Sequence, residues 1–293
     1  MKPIEHIAAR PADLGDGLTV HRALPTRQRR MVGAWCFLDH AGPVDFLAGR
    51  GLHVGAHPHI GLQTFTWLIE GEVMHRDSLG NGQIIRPGQV NLMTAGRGIV
   101  HTEDSVADGR RLHAAQLWIA LPEADVACAP AFDHLPNPPC WDEAGARLTL
   151  LAGRYGPHTA PGTIYSPLLG MDLHSLAGAR LEVQLDAAFE YALLPLEGAV
   201  AIGGERCPPH ELAYVGAGGT ALALELPAGG RALLIGGEPF GRPVEIWWNF
   251  VGFDKAEIAR ARAQWEQGDP RFAPVGDGSA RRLVAPPLPW ANA

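Results

Sequence analysis

Cysteine is scarce in this sequence: only Cys36, Cys128, Cys140 and Cys207 are present, with no CxxC pairing. A disulfide framework or thiolate zinc site is therefore not expected, and the thiols read as buried or idle. Nowhere do about 18 apolar residues follow one another, which leaves no candidate membrane span. Residues 1–8 carry Pro3, Glu5 and His6 where a secretion signal needs an apolar run, so a cytoplasmic location is expected. Positive charge is also in deficit. The 24 Lys and Arg against 31 Asp and Glu give a formal net charge of -7, and no basic patch suits nucleic acid. Helical patterning is confined to one segment, 254–267 (DKAEIARARAQWEQ). There Asp254 and Glu257 can cap, Ile258, Ala261 and Trp265 share a face, and Gly268 can end the helix.

What the chain has in abundance is glycine and proline, 36 and 25 among 293 residues, which favours many short strands joined by tight turns. In LQTFTWLIEGEVMHRDS, Phe65, Trp67 and Ile69 face one way while Thr64, Thr66 and Leu68 face the other, as a half-buried strand requires. LGNG at 79–82 supplies an Asn-Gly hairpin turn. GQVNLMTAG and RLHAAQLWIAL read as further strands, and the β pattern resumes beyond residue 147 in RLTLLAG, ARLEVQLD, EYALLPLEGAVAIGG, ELAYVGAGG and ALALELP. Pro130, Pro136, Pro138 and Pro139 between them should break any regular element. The expected division is therefore a first domain over 1–130, a proline-rich linker over 131–147, and a second domain over 148–293 with a C-terminal helix and tail. The second half also echoes the first. Gly51 precedes His57 by six and Gly71 follows it by fourteen; Gly178 and Gly198 stand at the same offsets from Gln184, and LIEG is answered by PLEG. An internal duplication is indicated, with Gln184 and Asp186 where the first copy has histidines.

HPH at 57–59 and HTE at 101–103 carry the chemistry. Side chains two apart on a strand point to one face, so His57 and His59 can aim at a single point, and His101 and Glu103 can join them from a neighbouring strand. Pro58 forfeits a ladder hydrogen bond and suggests an edge. Three imidazoles and a carboxylate suit one divalent first-row metal with room for water or substrate. An HxH pair alone is more often solvated or structural; the second pair and the glycine punctuation favour the metal.

The block 51–71 resembles the first motif of the cupin superfamily. The wider string HPHIGLQTFTWLIEGEVMHRDSLGNGQIIRPGQVNLMTAGRGIVHTE, with QLWIALP after it, is similar to the pirin family of bicupins. The general cupin motif has a glutamate where Thr64 stands; pirins share that departure and take their carboxylate from the position of Glu103. The resemblance implies an all-β chain of two tandem cupin β-sandwich or barrel domains, with few short helices. It also implies a single iron-type centre in the first domain, with His57, His59, His101 and Glu103 as ligands. WWNFVGFD near the end looks like bacterial members, so the nuclear transcription-cofactor role of eukaryotic pirins is not carried over.

Weaker candidates surround this set. His53 and His113 are pocket or rim residues, Gln63 a polar neighbour of the metal, and Arg97 an outer group behind a ligand. Met93, Phe65, Trp67 and Trp118 read mostly as core. His75, Arg76 and Asp77 read as a solvated strand end, and His158, His174 and His210 as surface.

A divalent ion there would stabilise an enolate, and Glu103 could act catalytically by accepting the enol proton. The resemblance implies quercetin 2,3-dioxygenase activity on a polyphenol with dioxygen. Fe(II) is preferred because the ligands lack sulfur and the family implies it; Mn, Co, Ni, Cu or Zn also suit the donors. The alternative is a redox-sensitive iron-binding regulator acting through an unidentified protein partner. Neither nucleic acid nor membrane is an expected partner.

Overall fold

The computed structural model describes residues 3–14, 18–107 and 109–290. The alternation in the first half becomes the strand Leu62–Glu70, whose Phe65, Trp67 and Ile69 enter a core while Thr66 and Leu68 line a cavity on the other face. It lies inside a seven-stranded sheet ordered Ala131–Leu135, Val90–Thr94, Leu62–Glu70, Arg111–Ala120, Trp35–Asp45, Thr19–Leu24 and Arg10–Asp13. Against it packs a four-stranded sheet ordered His53–His59, Ile99–Ser105, Val73–Asp77 and Gly82–Ile85. Leu18, Val20, Ala41, Leu68, Leu112 and Ala114 from the first meet Val73 and Ile85 from the second.

The second half builds the same sandwich. A large sheet runs Glu5–Ala8, Glu211–Val215, Glu190–Glu197, Arg231–Gly237, Leu168–Ser175, Ala146–Tyr155 and Cys140–Glu143, with His158–Thr159 paired to the side. Its partner is ordered Ala179–Gln184, Ala221–Leu226, Val200–Ile202 and Glu205–Cys207. In both small sheets the first strand pairs with the fourth and the fourth with the second, so the duplication read in the sequence is a duplication of topology. Leu181, Val183, Leu222 and Leu224 fill the second interior, whereas Gln184 and Asp186 stand exposed outside it.

The two large sheets pack on each other. Trp35, Phe65, Trp67 and Leu92 of one side share a core with Leu151, Leu194, Leu233 and Ile235 of the other. Burying a side chain such as Phe65 or Leu233 there contributes roughly 1.5–3 kcal/mol. Trp35 Nε1 donates to the carbonyls of Leu169 and Gly236 at 3.1 and 3.2 Å, and Trp67 Nε1 to Asp172 at 3.2 Å, so the buried indole N–H groups are satisfied across the seam.

Several expectations change. The proline-rich stretch carries two strands, Ala131–Leu135 on the first sheet and Cys140–Glu143 on the second. Its prolines stand outside them, at 130 and 136–139, where no ladder N–H is needed. The hairpin near 79–82 uses Gly80, at φ 88°, as its left-handed residue in place of Asn81-Gly82, because the Asp77 carboxylate draws in the N–H groups of Leu79 and Asn81. Strand Glu5–Ala8 belongs to the second domain's sheet, pairing with Glu211–Val215.

The helix forms as Lys255–Gln267, capped by Asp254 and closed by Gly268 at φ 69°, with Ile258, Ala261 and Trp265 buried. Glu257 bonds Arg260 and Arg271 in place of a reciprocal cap. No helix among the described residues is long and apolar enough to cross a membrane. The helix and tail do not stay with the second domain. They cover the open edge of the first, bridging Ile60 to Phe250 and Ala56 to Arg282. Gly61 and Gly55 permit this: a methyl on either would lie 2.0 Å from the Val251 carbonyl oxygen or 2.4 Å from that of Arg281.

Candidate metal centre

His57 and His59 lie on the edge strand His53–His59, whose neighbour Ile99–Ser105 sets His101 opposite His57. Between His101 and Glu103 the register slips: Glu103 faces Val54, leaving Gly55 and Ala56 as the irregular part of the edge strand. The freed Gly55 carbonyl turns back to accept from His57 Nδ1 at 2.8 Å.

The ligand atoms of His57, His59 and His101 all lie within 4.8 Å of one another, and His59 Nε2 is 3.1 Å from His101 Nε2. Each Nδ1 is engaged elsewhere. His57 Nδ1 bonds Gly55 O, His59 Nδ1 bonds the Asn249 carbonyl at 3.1 Å, and His101 Nδ1 meets His75 Nδ1 at 3.3 Å. Three Nε2 lone pairs are thus presented to one another. Burial lowers the pKa of His57 to about 4 and holds His59 and His101 well below the usual imidazole range. The rings are neutral, the form that binds metal, so the donor set fits a divalent ion. Glu103 joins a second grouping that shares His101: its carboxylate lies within 4.8 Å of donor atoms of His101 and His75, and it is not gathered with His57 and His59. Burial raises its pKa.

These residues open on a cavity of about 570 Å³ between the two sheets. Its large-sheet face is banded by the pairing register. Val20, Ala41, Ala114 and Leu68 make an apolar band; Arg22, Asp39, Gln116 and Thr66, aligned across four strands, make a polar one. Phe37 stacked on Trp118 at 4.0 Å makes an aromatic one. Arg22 grips Asp39 with two bonds of 2.8 and 2.7 Å. Ile246, Trp248, Asn249 and Leu283 from the C-terminal segments line the cavity as well.

The family model described as Pirin matches residues 17–119, and that of the Pirin C-terminal cupin domain matches 170–273. The chain belongs to the pirin family. This pirin is 58% identical over 287 residues to a Pseudomonas aeruginosa protein named as a candidate quercetin 2,3-dioxygenase, covering 98% of this chain and 91% of that one. It is 47% identical to a solved quercetin 2,3-dioxygenase of Acinetobacter baumannii, with a TM-score of 0.95 over 98% of this chain and 96% of the other. A bacterial pirin of Escherichia coli, solved with nickel(II), shares the fold at 20% identity and a TM-score of 0.66, covering 81% and 100% of the two chains.

The weaker sequence candidates in this pirin fall in mixed places. His53 lines the cavity mouth, and Trp118 lines the cavity itself. Gln63 is buried away from the cavity, donating to Thr94 and to the Thr163 carbonyl. His113 is wholly buried against His40, Nε2 to Nε2 at 2.8 Å, and does not line the pocket. Arg97 is exposed, its carbonyl held by Arg271. His158, His174 and His210 are half-buried, with His158 stacked on Trp141 and His210 on His21. His75 and Asp77 are no solvated end: both are buried, 3% and 1% exposed, and only Arg76 between them faces out. Sequence reading missed Trp248, Asn249 and the Arg22–Asp39 pair, which reach the cavity from distant segments without a local motif. A further grouping, His6, Cys207 and Glu211, sits on the second domain. There His6 bridges Glu211 and Glu205, which accounts for it as an ion pair pinning the first strand.

Proposed function

We propose that this chain is a metal-dependent dioxygenase that opens the heterocycle of a flavonol such as quercetin. One divalent ion, Fe(II) by preference, is held by His57, His59, His101 and Glu103. The observation that carries this is the meeting of three neutral, buried imidazoles, with the Glu103 carboxylate beside His101, on the wall of a cavity of ligand size. The names of the Pseudomonas and Acinetobacter relatives support the substrate class.

A bound first-row ion supplies residual positive charge that favours an enolate, and a redox-capable centre for dioxygen. The chain's own residues do the rest. Phe37 and Trp118 offer an aromatic face to a planar ring system, and the apolar band excludes water from it. Glu103 takes the hydroxyl proton on a carboxylate oxygen, and beside it Thr66 donates its hydroxyl to Gln116 at 2.8 Å in the polar band. Arg22, fixed by Asp39, faces the outer hydroxyls of the substrate.

The test is elemental analysis of the purified protein together with quercetin consumption under oxygen, for wild type and His101→Ala. The expected result is about one ion per chain and turnover that disappears with the histidine. Absence of turnover on every flavonol tried, with Fe, Mn, Co, Ni, Cu and Zn each loaded, overturns the proposal. Bound metal in that case favours the regulator.

A further inference from the structure

Of the three clustered imidazoles, His101 is held differently. The outer nitrogens of His57 and His59 meet backbone carbonyls, whereas that of His101 meets the imidazole of His75 at 3.3 Å. An imidazole nitrogen accepts only if its proton sits on the other nitrogen. In His75 that other nitrogen, Nε2, lies 3.2 Å from Asp77 Oδ2. Asp77 therefore sets the tautomer of His75, and His75 sets that of His101, leaving His101 Nε2 bare toward its neighbours.

Each member of the series is fixed. Asp77 accepts from Leu79 N, Asn81 N and Asn81 Nδ2. His75 lies flat on Phe132, 4.4 Å away at 12°. Register places His101 opposite Asp77 and Glu103 opposite His75, so all four side chains share the inner face of the sheet. Asp77 is 1% exposed, and no Lys or Arg among the described residues forms an ion pair with it. A buried carboxylate without a cation is costly unless a positive charge is nearby.

We propose that His75 and Asp77 form a buried relay that orients His101 toward a divalent ion and, with Glu103, supplies the second negative charge that balances it. The relay rests on the metal reading above. In it His75 is a positioning residue and not a ligand, since its Nε2 is engaged by Asp77 and its Nδ1 faces the nitrogen of His101 that points away from the cluster.

The experiment titrates the metal-free full-length protein with Co(II), reading stoichiometry, affinity by chelator competition and the visible spectrum. The variants are His75→Leu, which removes the acceptor; His75→Asn, which keeps an acceptor near the Nδ1 position but loses Asp77; and Asp77→Asn. One ion per chain is expected in each, with an unchanged Co(II) band pattern. Affinity should fall about 10–100-fold in His75→Leu and Asp77→Asn and less in His75→Asn. This order need not follow the melting temperatures of the metal-free proteins. Wild-type affinity in His75→Asn and Asp77→Asn overturns the relay and leaves the metal reading standing. A changed band pattern in His75→Asn makes His75 a ligand and also overturns it. A wild-type protein that takes up no ion overturns the metal reading, and the relay with it.

Discussion

At the scale of single residues, Glu103 is the group whose protonation state matters most for the proposed chemistry. Burial raises its pKa in the metal-free protein, and a bound divalent ion would act the other way by favouring the ionised carboxylate. The proton acceptor is the ionised form, so activity should fall as pH drops through the Glu103 pKa, giving the pH–rate profile an acid limb. Glu103→Gln should remove the limb and lower turnover about 10²–10⁴-fold. Steady-state rates across pH, with metal content measured on the same samples, check both. The pairing of side chains in the candidate site was legible because HPH and HTE need only the period of a strand to share a face. HRD at 75–77 has the same period, yet it reads as solvated until its pairing is known. Only the register with Ile99–Ser105 turns His75 and Asp77 inward beside His101. Gln63 and His113 were misplaced for the reverse reason: the alternation gave their strands but not which face meets the second domain.

At the scale of elements, the helix Lys255–Gln267 was readable almost to its ends, since its cap, stop and apolar face are all local. The strands within 131–147 were not, because their partners lie in other segments. The same holds for the hairpin joining Glu245–Trp247 to Phe250–Gly252. At its tip Trp248 adopts φ 52°, a conformation that favours glycine, while its indole lines the cavity and the next carbonyl, from Asn249, holds His59. A bulky residue kept in a strained conformation beside a site points to a contact made by its side chain. Trp248→Gly relieves about 1–2 kcal/mol of backbone strain. That offsets part of the packing lost against Trp247 and Phe250, and the melting temperature should fall modestly. Quercetin binding, followed by fluorescence under nitrogen, should weaken about 2–12-fold, as loss of an aromatic contact of about 0.5–1.5 kcal/mol requires. Unchanged affinity would remove Trp248 from the binding wall.

At the scale of the whole molecule, the β class, the duplication and the confinement of the histidine cluster to one half were all written in periodicity and spacing. The exchange of chain ends was not, because nothing local tells a tail which domain it will cover. The joint depends on close approach: Gly61 sits at φ 68° with the Val251 carbonyl where a side chain would begin. Gly61→Ala combines a left-handed alanine with a backbone clash and should cost about 2–4 kcal/mol. Denaturant melts, with limited proteolysis of the tail as a second readout, measure it; a variant as stable and as protected as wild type would contradict the role given to the joint.

The Asn249 carbonyl that holds His59 lies 190 residues further along the chain. The orientation of that ring, and with it the shape of the histidine cluster, is therefore set from the opposite end of the chain. A chain cut before residue 245 would lack the partner of His59 and the segments that bridge to Ala56 and Ile60.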